Sequence, residues 1–107
     1  MKKYLFHSVH IRFKPDTPQT LKSRVFGLYQ TLGEECGGRE AGILHWSVKW
    51  NLDMRKGVEL VEFVIFRDDA ALQAFRKHPN HQEIFTIMRD NADWTVGDTI
   101  EEFPFDL

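Results

Sequence analysis

The chain predicts an α+β domain, a four-stranded antiparallel sheet with its helices on one face. Three observations carry this expectation. Strand-like and helix-like segments follow one another in the order strand, long helix, strand, strand, helix, strand. The strand-like segments alternate apolar and polar residues with a period of two, and the others repeat at helical spacing. At 107 residues the chain has room for a single domain, residues 1–107, and no second one.

The first strand runs over 4–13. Leu5, His7, Val9, Ile11 and Phe13 share one face, with Phe6, Ser8, His10 and Arg12 on the other. Lys14-Pro15-Asp16-Thr17-Pro18 breaks it. Thr17 is placed to cap a helix with Pro18 at the first helical position, where a missing N–H costs nothing. Leu21, Val25, Leu28 and Leu32 recur at helical spacing to about residue 35, and Gly37-Gly38 stops the helix. Residues 42–51 form a second strand, with Leu44, Trp46, Val48 and Trp50 on one face. The third strand, Val58 to Phe66, is apolar on nearly both faces, which predicts a central strand covered on both sides. Asp68 or Asp69 caps a second helix that turns Leu72 and Phe75 inward and cannot run smoothly through Pro79. A short helix follows from about His81 to Asp90, and Trp94 to Ile100 reads as the last strand.

This order is the split βαβ pattern of a ferredoxin-like βαββαβ fold. With the helices on one sheet face, the other is left uncovered. It is expected to carry large groups such as Trp46 and Trp50, or their neighbours, and to ask for a second copy packed sheet to sheet.

Composition narrows the function. The chain is 42% hydrophobic and 28% charged, with a net charge of −2 and nine Phe and three Trp. No basic stripe interleaves with aromatics, which argues against nucleic acid. No apolar run approaches the ~18 residues that cross a bilayer, and His7, His10 and Arg12 interrupt any signal-like core near the start. Cys36 is the one cysteine, so no internal disulfide or thiolate cluster forms, and a reducing, cytoplasmic setting is expected.

The candidate chemistry is histidine chemistry. His78-Pro79-Asn80-His81 stands where the second helix should stop, and His7 lies in the inward row of the first strand. Imidazole exchanges protons near neutral pH. An unpaired buried polar group costs ~1–3 kcal/mol, so His7 requires a partner, and His81 is the natural one, directly or through a water. His81 can act as an acid or base in a cavity, or bond a backbone carbonyl and close the Pro79 turn. His78 reads as a helix-end residue whose positive charge favours the dipole. His10 and His45 fall on the opposite face or near its edge. His7, His78 and His81 are a poor metal site, because Pro79 breaks the spacing and no carboxylate stands out behind them. Glu62 interrupts an apolar strand, and a link to Lys49 or Arg12 is its plain reading, ahead of a catalytic role.

With these residues in place, the chain resembles the stress-responsive A/B barrel (Dabb) family of dimeric α+β barrel proteins. The matching signatures are His-x-Val-x-Ile-x-Phe over His7 to Phe13, a strand ending in Phe before an acidic residue and an Ala-Leu helix start over Phe66 to Leu72, and the His78-Pro-x-His81 step followed by an apolar helix and a strand carrying Asp98. The resemblance implies a homodimer and a cavity between helices and sheet in each subunit. Most members have no known activity; plant members include stress-associated proteins and a polyketide cyclase that closes an aromatic ring by aldol chemistry. The cyclase's two acting histidines correspond to His7 and His81. Its supporting tyrosine corresponds to Phe75, which removes a hydroxyl from the pocket.

The resemblance therefore implies His7 and His81 as an acid–base pair and Phe75, His78, Phe85 and Met88 as pocket residues. No cofactor or metal is expected. The ligand class is a small apolar or aromatic carbonyl or phenolic molecule. Two alternatives stay open: a non-enzymatic stress or interaction dimer with structural histidines and, by analogy of fold alone, a cofactor-independent monooxygenase or haem-degrading enzyme.

Overall fold

The computed structural model describes residues 1–107. Its elements are β1 (Lys2–Phe13), α1 (Gln19–Glu35), a short 3-10 turn (Gly38–Ala41), β2 (Ile43–Trp50), β3 (Leu60–Phe66), α2 (Asp69–Lys77), α3 (Pro79–Asn91) and β4 (Ala92–Phe103). The strands form one antiparallel sheet in the order β2-β3-β1-β4. This is the ferredoxin-like topology, with β1 and β3 in the middle and β2 and β4 at the edges.

The inward rows of the strands set the core. Leu5, Val9, Ile11 and Phe13 of β1 meet Leu60, Val64 and Phe66 of β3 beneath Val25 and Leu32 of α1, Leu72 and Phe75 of α2, and Ile84 and Met88 of α3. His7 and Glu62 stand in these same inward rows. β4 is longer than Trp94–Ile100 and pairs with β1 along its whole length, from Lys2↔Phe103 to Phe13↔Ala92.

Helix α1 starts at Gln19 with Pro18 as its extended N-cap; Thr17 does not cap it. The Thr17 hydroxyl instead donates to the Lys14 carbonyl at 2.7 Å, a local bond that competes with capping. Gly37, at φ 107°, takes the chain out of α1 in a conformation that suits glycine. Asp68 caps α2, accepting from the Ala71 N–H at 2.9 Å. The break at Pro79 is sharp. His78, at ψ 136°, is both the last cap of α2 and the first of α3, with Pro79 at the start of α3.

The two sheet faces differ from expectation in their tryptophans. Trp46 and Trp50 face the helices. Trp50 stacks on Phe26 of α1 at 4.9 Å, and the Trp46 indole N–H donates to the Tyr29 carbonyl at 2.8 Å. The Trp46 ring fits because Gly33 has no side chain; a Cβ there would lie 2.8 Å from it. A register shift between Ile43 and His45 gives the inward place at the start of β2 to the buried Ile43 and leaves Leu44 half-buried. The open face carries the neighbours instead: Phe6 and Phe63 with rings 5.5 Å apart, Phe103 at 5.9 Å from Phe6, and Val61 and Ile65. β3 is central as expected. Its inward residues are buried, while Val61, Phe63 and Ile65 are only half-buried in the single chain, so one face of the strand is covered and not both. No helix is long and apolar enough to cross a membrane.

Candidate functional site

Between the sheet and the three helices lies a cavity of about 310 Å³, at the small end of ligand-binding pockets. His7, Val9 and Ile11 of β1, Glu62 of β3, and Trp94 and Val96 of β4 form its floor. Tyr29 of α1, Phe75 and Arg76 of α2, and His81, Phe85 and Met88 of α3 form its walls. Phe85 and Val96 are both exposed and mark its mouth between α3 and edge strand β4.

His7 is 5% exposed and its ring is held at Nδ1. Nδ1 lies 2.6 Å from Asp98 Oδ1. The two residues are direct cross-strand partners in the β1–β4 register, so their side chains leave the sheet on the same side. A carboxylate only accepts, so Nδ1 carries the proton and Nε2 keeps its lone pair. Nε2 is 3.7 Å from Glu62 Oε2. Asp98 also lies 3.8 Å from the Arg76 guanidinium at its second oxygen, a solvent-facing contact of small energetic weight.

Glu62 is the second buried polar group, 5% exposed. Lys49 and Arg12 are not its partners. Val61, the residue paired with Lys49, lies on the open face with His10 opposite it, and Arg12 bonds Thr95 and Lys56 there. The inward alternation of β3 places Glu62 between Leu60 and Val64, under the helices. Burial pushes its carboxyl up to about 8, so near neutral pH the group is predominantly the neutral acid, a hydrogen-bond donor. Tyr29, 8% exposed, stands in the cavity wall above. Burial, and then the charge of Glu62 when ionised, hold its hydroxyl well above the ordinary phenol range. No buried side-chain polar atom is sealed off without a partner. The Glu62 carboxyl and Tyr29 hydroxyl, which bond no protein group, thus present their polar tips to the cavity.

His81 lines the cavity but does not bond His7. Its Nδ1 lies 3.2 Å from the Arg76 carbonyl, which requires the proton on Nδ1 and again leaves Nε2 with a lone pair. Burial lowers its basicity, the Arg76 carbonyl opposes that, and the nearby His7 and Arg76 lower it further. Its ring packs on Phe75 at 4.5 Å. Phe75, Phe85 and Met88 line the cavity; His78 does not. His78 Nδ1 accepts from the Asn80 N–H at 3.1 Å, so its ring is an N-cap for α3. A cap that accepts has no proton on that nitrogen, and the positive charge expected to favour the end of α2 would oppose the start of α3.

Of the residues the sequence singles out, His7, His81, Phe75, Phe85 and Met88 come together in this cavity; Tyr29 and Arg76 are added by the structure, and Glu62 enters the cavity in place of a link to Lys49 or Arg12. The signals were present. Glu62 shares the inward row of Leu60, Val64 and Phe66, and Tyr29 sits four residues after Val25 and three before Leu32 on the inward stripe of α1. Asp98 was visible as a motif residue, but its bond to His7 follows from the strand register, which needs the structure.

The raised Glu62 carboxyl has a consequence for stability. Its folded-state value lies above the ordinary value of 4.5, so between about pH 4.5 and 8 the folded chain holds a proton that the unfolded chain has released. Stability therefore falls as pH rises through that window. Glu62→Gln removes the titration. Urea unfolding of both forms at about pH 5 and about pH 9 is expected to show wild type losing a few kcal/mol relative to Glu62→Gln at the higher pH; a pH-independent difference contradicts the assignment.

Comparison with known proteins places the chain by family and by fold. A family model described as Stress responsive A/B Barrel Domain (Dabb) matches residues 5–101. Among solved structures, the chain is similar to a hydroxynitrile lyase from Passiflora edulis, at 17% identity over 99% of this chain and 100% of that one, with a TM-score of 0.79. It is similar to a dimeric ferredoxin-like protein of unknown function from Thermobifida fusca YX (13% identity, 92% of each chain, TM-score 0.77). A dimeric protein of unknown function and ferredoxin-like fold from Bacteroides fragilis is also alike (17% identity, 94% and 96% covered, TM-score 0.72). At these identities the likeness speaks for the fold. No curated protein matches the sequence. With the family model spanning nearly the whole folded unit, the chain belongs to the stress-responsive A/B barrel (Dabb) family.

Proposed function

We propose that this protein is a homodimer that binds a small apolar or aromatic carbonyl compound in the cavity and moves a proton on it without a cofactor. The observation that carries the reading is the His7–Asp98 contact of 2.6 Å. It fixes the tautomer and leaves the Nε2 lone pair beside an apolar cavity, as a general base requires. His81 stands in the opposite wall with a second free Nε2. The reaction class is proton abstraction from the carbon next to a carbonyl, followed by ring closure, isomerisation or lyase chemistry. The fold-level likeness to a hydroxynitrile lyase supports lyase chemistry as an analogy.

The Arg76 carbonyl bond of His81 favours a second reading, in which His81 chiefly closes the turn at Pro79 and the dimer, not turnover, is the function. Kinetics separates the two. Once a screen of small ketones, aldehydes and phenols has found turnover, His7→Ala is expected to abolish it. Asp98→Asn, which can present its amide N–H to Nδ1 and reverse the tautomer, is expected to lower kcat by about a hundredfold or more with little change in KM. Full activity in His7→Ala, or no turnover across the screen, favours the second reading.

The homodimer is inferred from the open sheet face, where Phe6, Phe63 and Phe103 form a continuous aromatic surface, and from the dimeric neighbours of the same fold. Sedimentation equilibrium is expected to give twice the mass of one chain for wild type and one chain mass for Phe63→Glu, which sets a charge in that surface. A monomeric wild type contradicts it.

A further inference from the structure

The proposed proton transfer uses histidine and leaves two polar groups of the cavity without work: the Glu62 carboxyl and the Tyr29 hydroxyl. Both residues are more than nine-tenths buried, neither side-chain group bonds the protein, and both line the cavity. Each can donate a hydrogen bond, and each costs stability where it stands. Of the other polar groups in the lining, Arg76 faces Asp98 and Gln82 bonds the Arg76 carbonyl, so these two uncommitted donors select an acceptor on the ligand.

We propose that Glu62 and Tyr29 form a paired donor site for the carbonyl oxygen of a small uncharged ketone or aldehyde, with Glu62 a substrate-contacting acid. This deepens the preceding reading and rests on its claim that the cavity admits carbonyl compounds. The carbonyl oxygen accepts from both groups, and the neighbouring carbon then lies toward His7 Nε2. As Nε2 takes the proton from that carbon, the C–H electron pair forms the C=C bond and the carbonyl π pair moves to oxygen. The oxygen takes the Glu62 proton. The products are an enol, a His7 imidazolium and a Glu62 carboxylate, with atoms and charge balanced. Glu62 Oε2 and His7 Nε2 are 3.7 Å apart, close enough for the proton to return by a small side-chain shift and reset the pair.

The charged or titratable groups around Glu62 are His7 on β1, Tyr29 on α1, Arg76 on α2, His81 on α3 and, behind His7, Asp98 on β4. None is a cation held against the carboxyl, so the donor form persists until the pH passes about 8.

The test uses two probes of nearly the same shape, acetophenone and α-methylstyrene, in which C=CH₂ replaces C=O. Their dissociation constants are measured by calorimetry for wild type, Glu62→Leu, Glu62→Gln and Tyr29→Phe. In Glu62→Leu the ratio of acetophenone to α-methylstyrene affinity is expected to fall about tenfold, the worth of one buried hydrogen bond. Glu62→Gln, still a donor, keeps most of the ratio. In wild type the ratio declines as pH rises past about 8, and in Glu62→Gln it is flat. Carbonyl-labelled acetophenone is expected to shift its ¹³C resonance downfield on binding wild type and not on binding Glu62→Leu. If both probes bind and the ratio is the same in every variant, the Glu62 assignment is overturned and the cavity reading stands. If neither probe binds wild type, both are overturned. Binding of α-methylstyrene by Glu62→Leu reports that the variant is folded, and if that variant fails, the pH dependence of wild type against Glu62→Gln decides the matter.

Discussion

Two ionisable side chains, His7 and Glu62, are buried on adjacent central strands beneath the helices, and the arrangement of the site follows from that constraint. An imidazole and a carboxyl in an apolar layer must each find a partner or a polar space. His7 finds Asp98, because the antiparallel pairing of β1 with β4 sets the two residues side by side. Glu62 has no partner within hydrogen-bond distance: His7 Nε2 stands 3.7 Å away, Val48, its partner on β2, is apolar, and its oxygens face the cavity. The space between sheet and helices is thus edged by polar tips that its apolar walls do not satisfy. Phe66 and Phe75 pack behind the two histidines and keep the water-poor surroundings in which a neutral carboxyl persists.

The same burial explains the division of labour between the histidines. His7 is on a strand at the sheet centre, held by a side chain on the next strand, so its orientation depends on the sheet's longest pairing. His81 sits in the first turn of α3, just after the proline break, and is held by a backbone carbonyl of the preceding helix. His78 lies outside the cavity because the residue before Pro79 serves both helix ends. The conformation that proline imposes there, ψ 136°, turns its ring toward the first N–H groups of α3 and away from the sheet.

Much of the fold was legible because it follows period and punctuation. Alternation in Leu5 to Phe13, helical spacing in Leu21 to Leu32, and the stops at Gly37 and Pro79 gave the elements and their order. The tryptophans were harder. Alternation groups Trp46 with Val48 and Trp50 but does not say which face is covered; that depends on the missing side chain of Gly33, a contact between distant segments. Glu62 was misplaced for a related reason. A charged residue in a strand suggests a surface pair, and the row Leu60, Glu62, Val64, Phe66 outweighs that suggestion only once the helices are known to lie over it. Thr17 failed as a cap because its hydroxyl has a nearer carbonyl.

The chemistry of the cavity depends most on Glu62 being a neutral acid near physiological pH. The direct measurement is a ¹³C NMR titration of side-chain carboxyl resonances in protein labelled at glutamate, with the Glu62 signal assigned by its loss in Glu62→Gln. A midpoint near 8 is expected for Glu62. A midpoint in the ordinary range near 4.5 would show an ionised Glu62 at neutral pH and contradict the donor role.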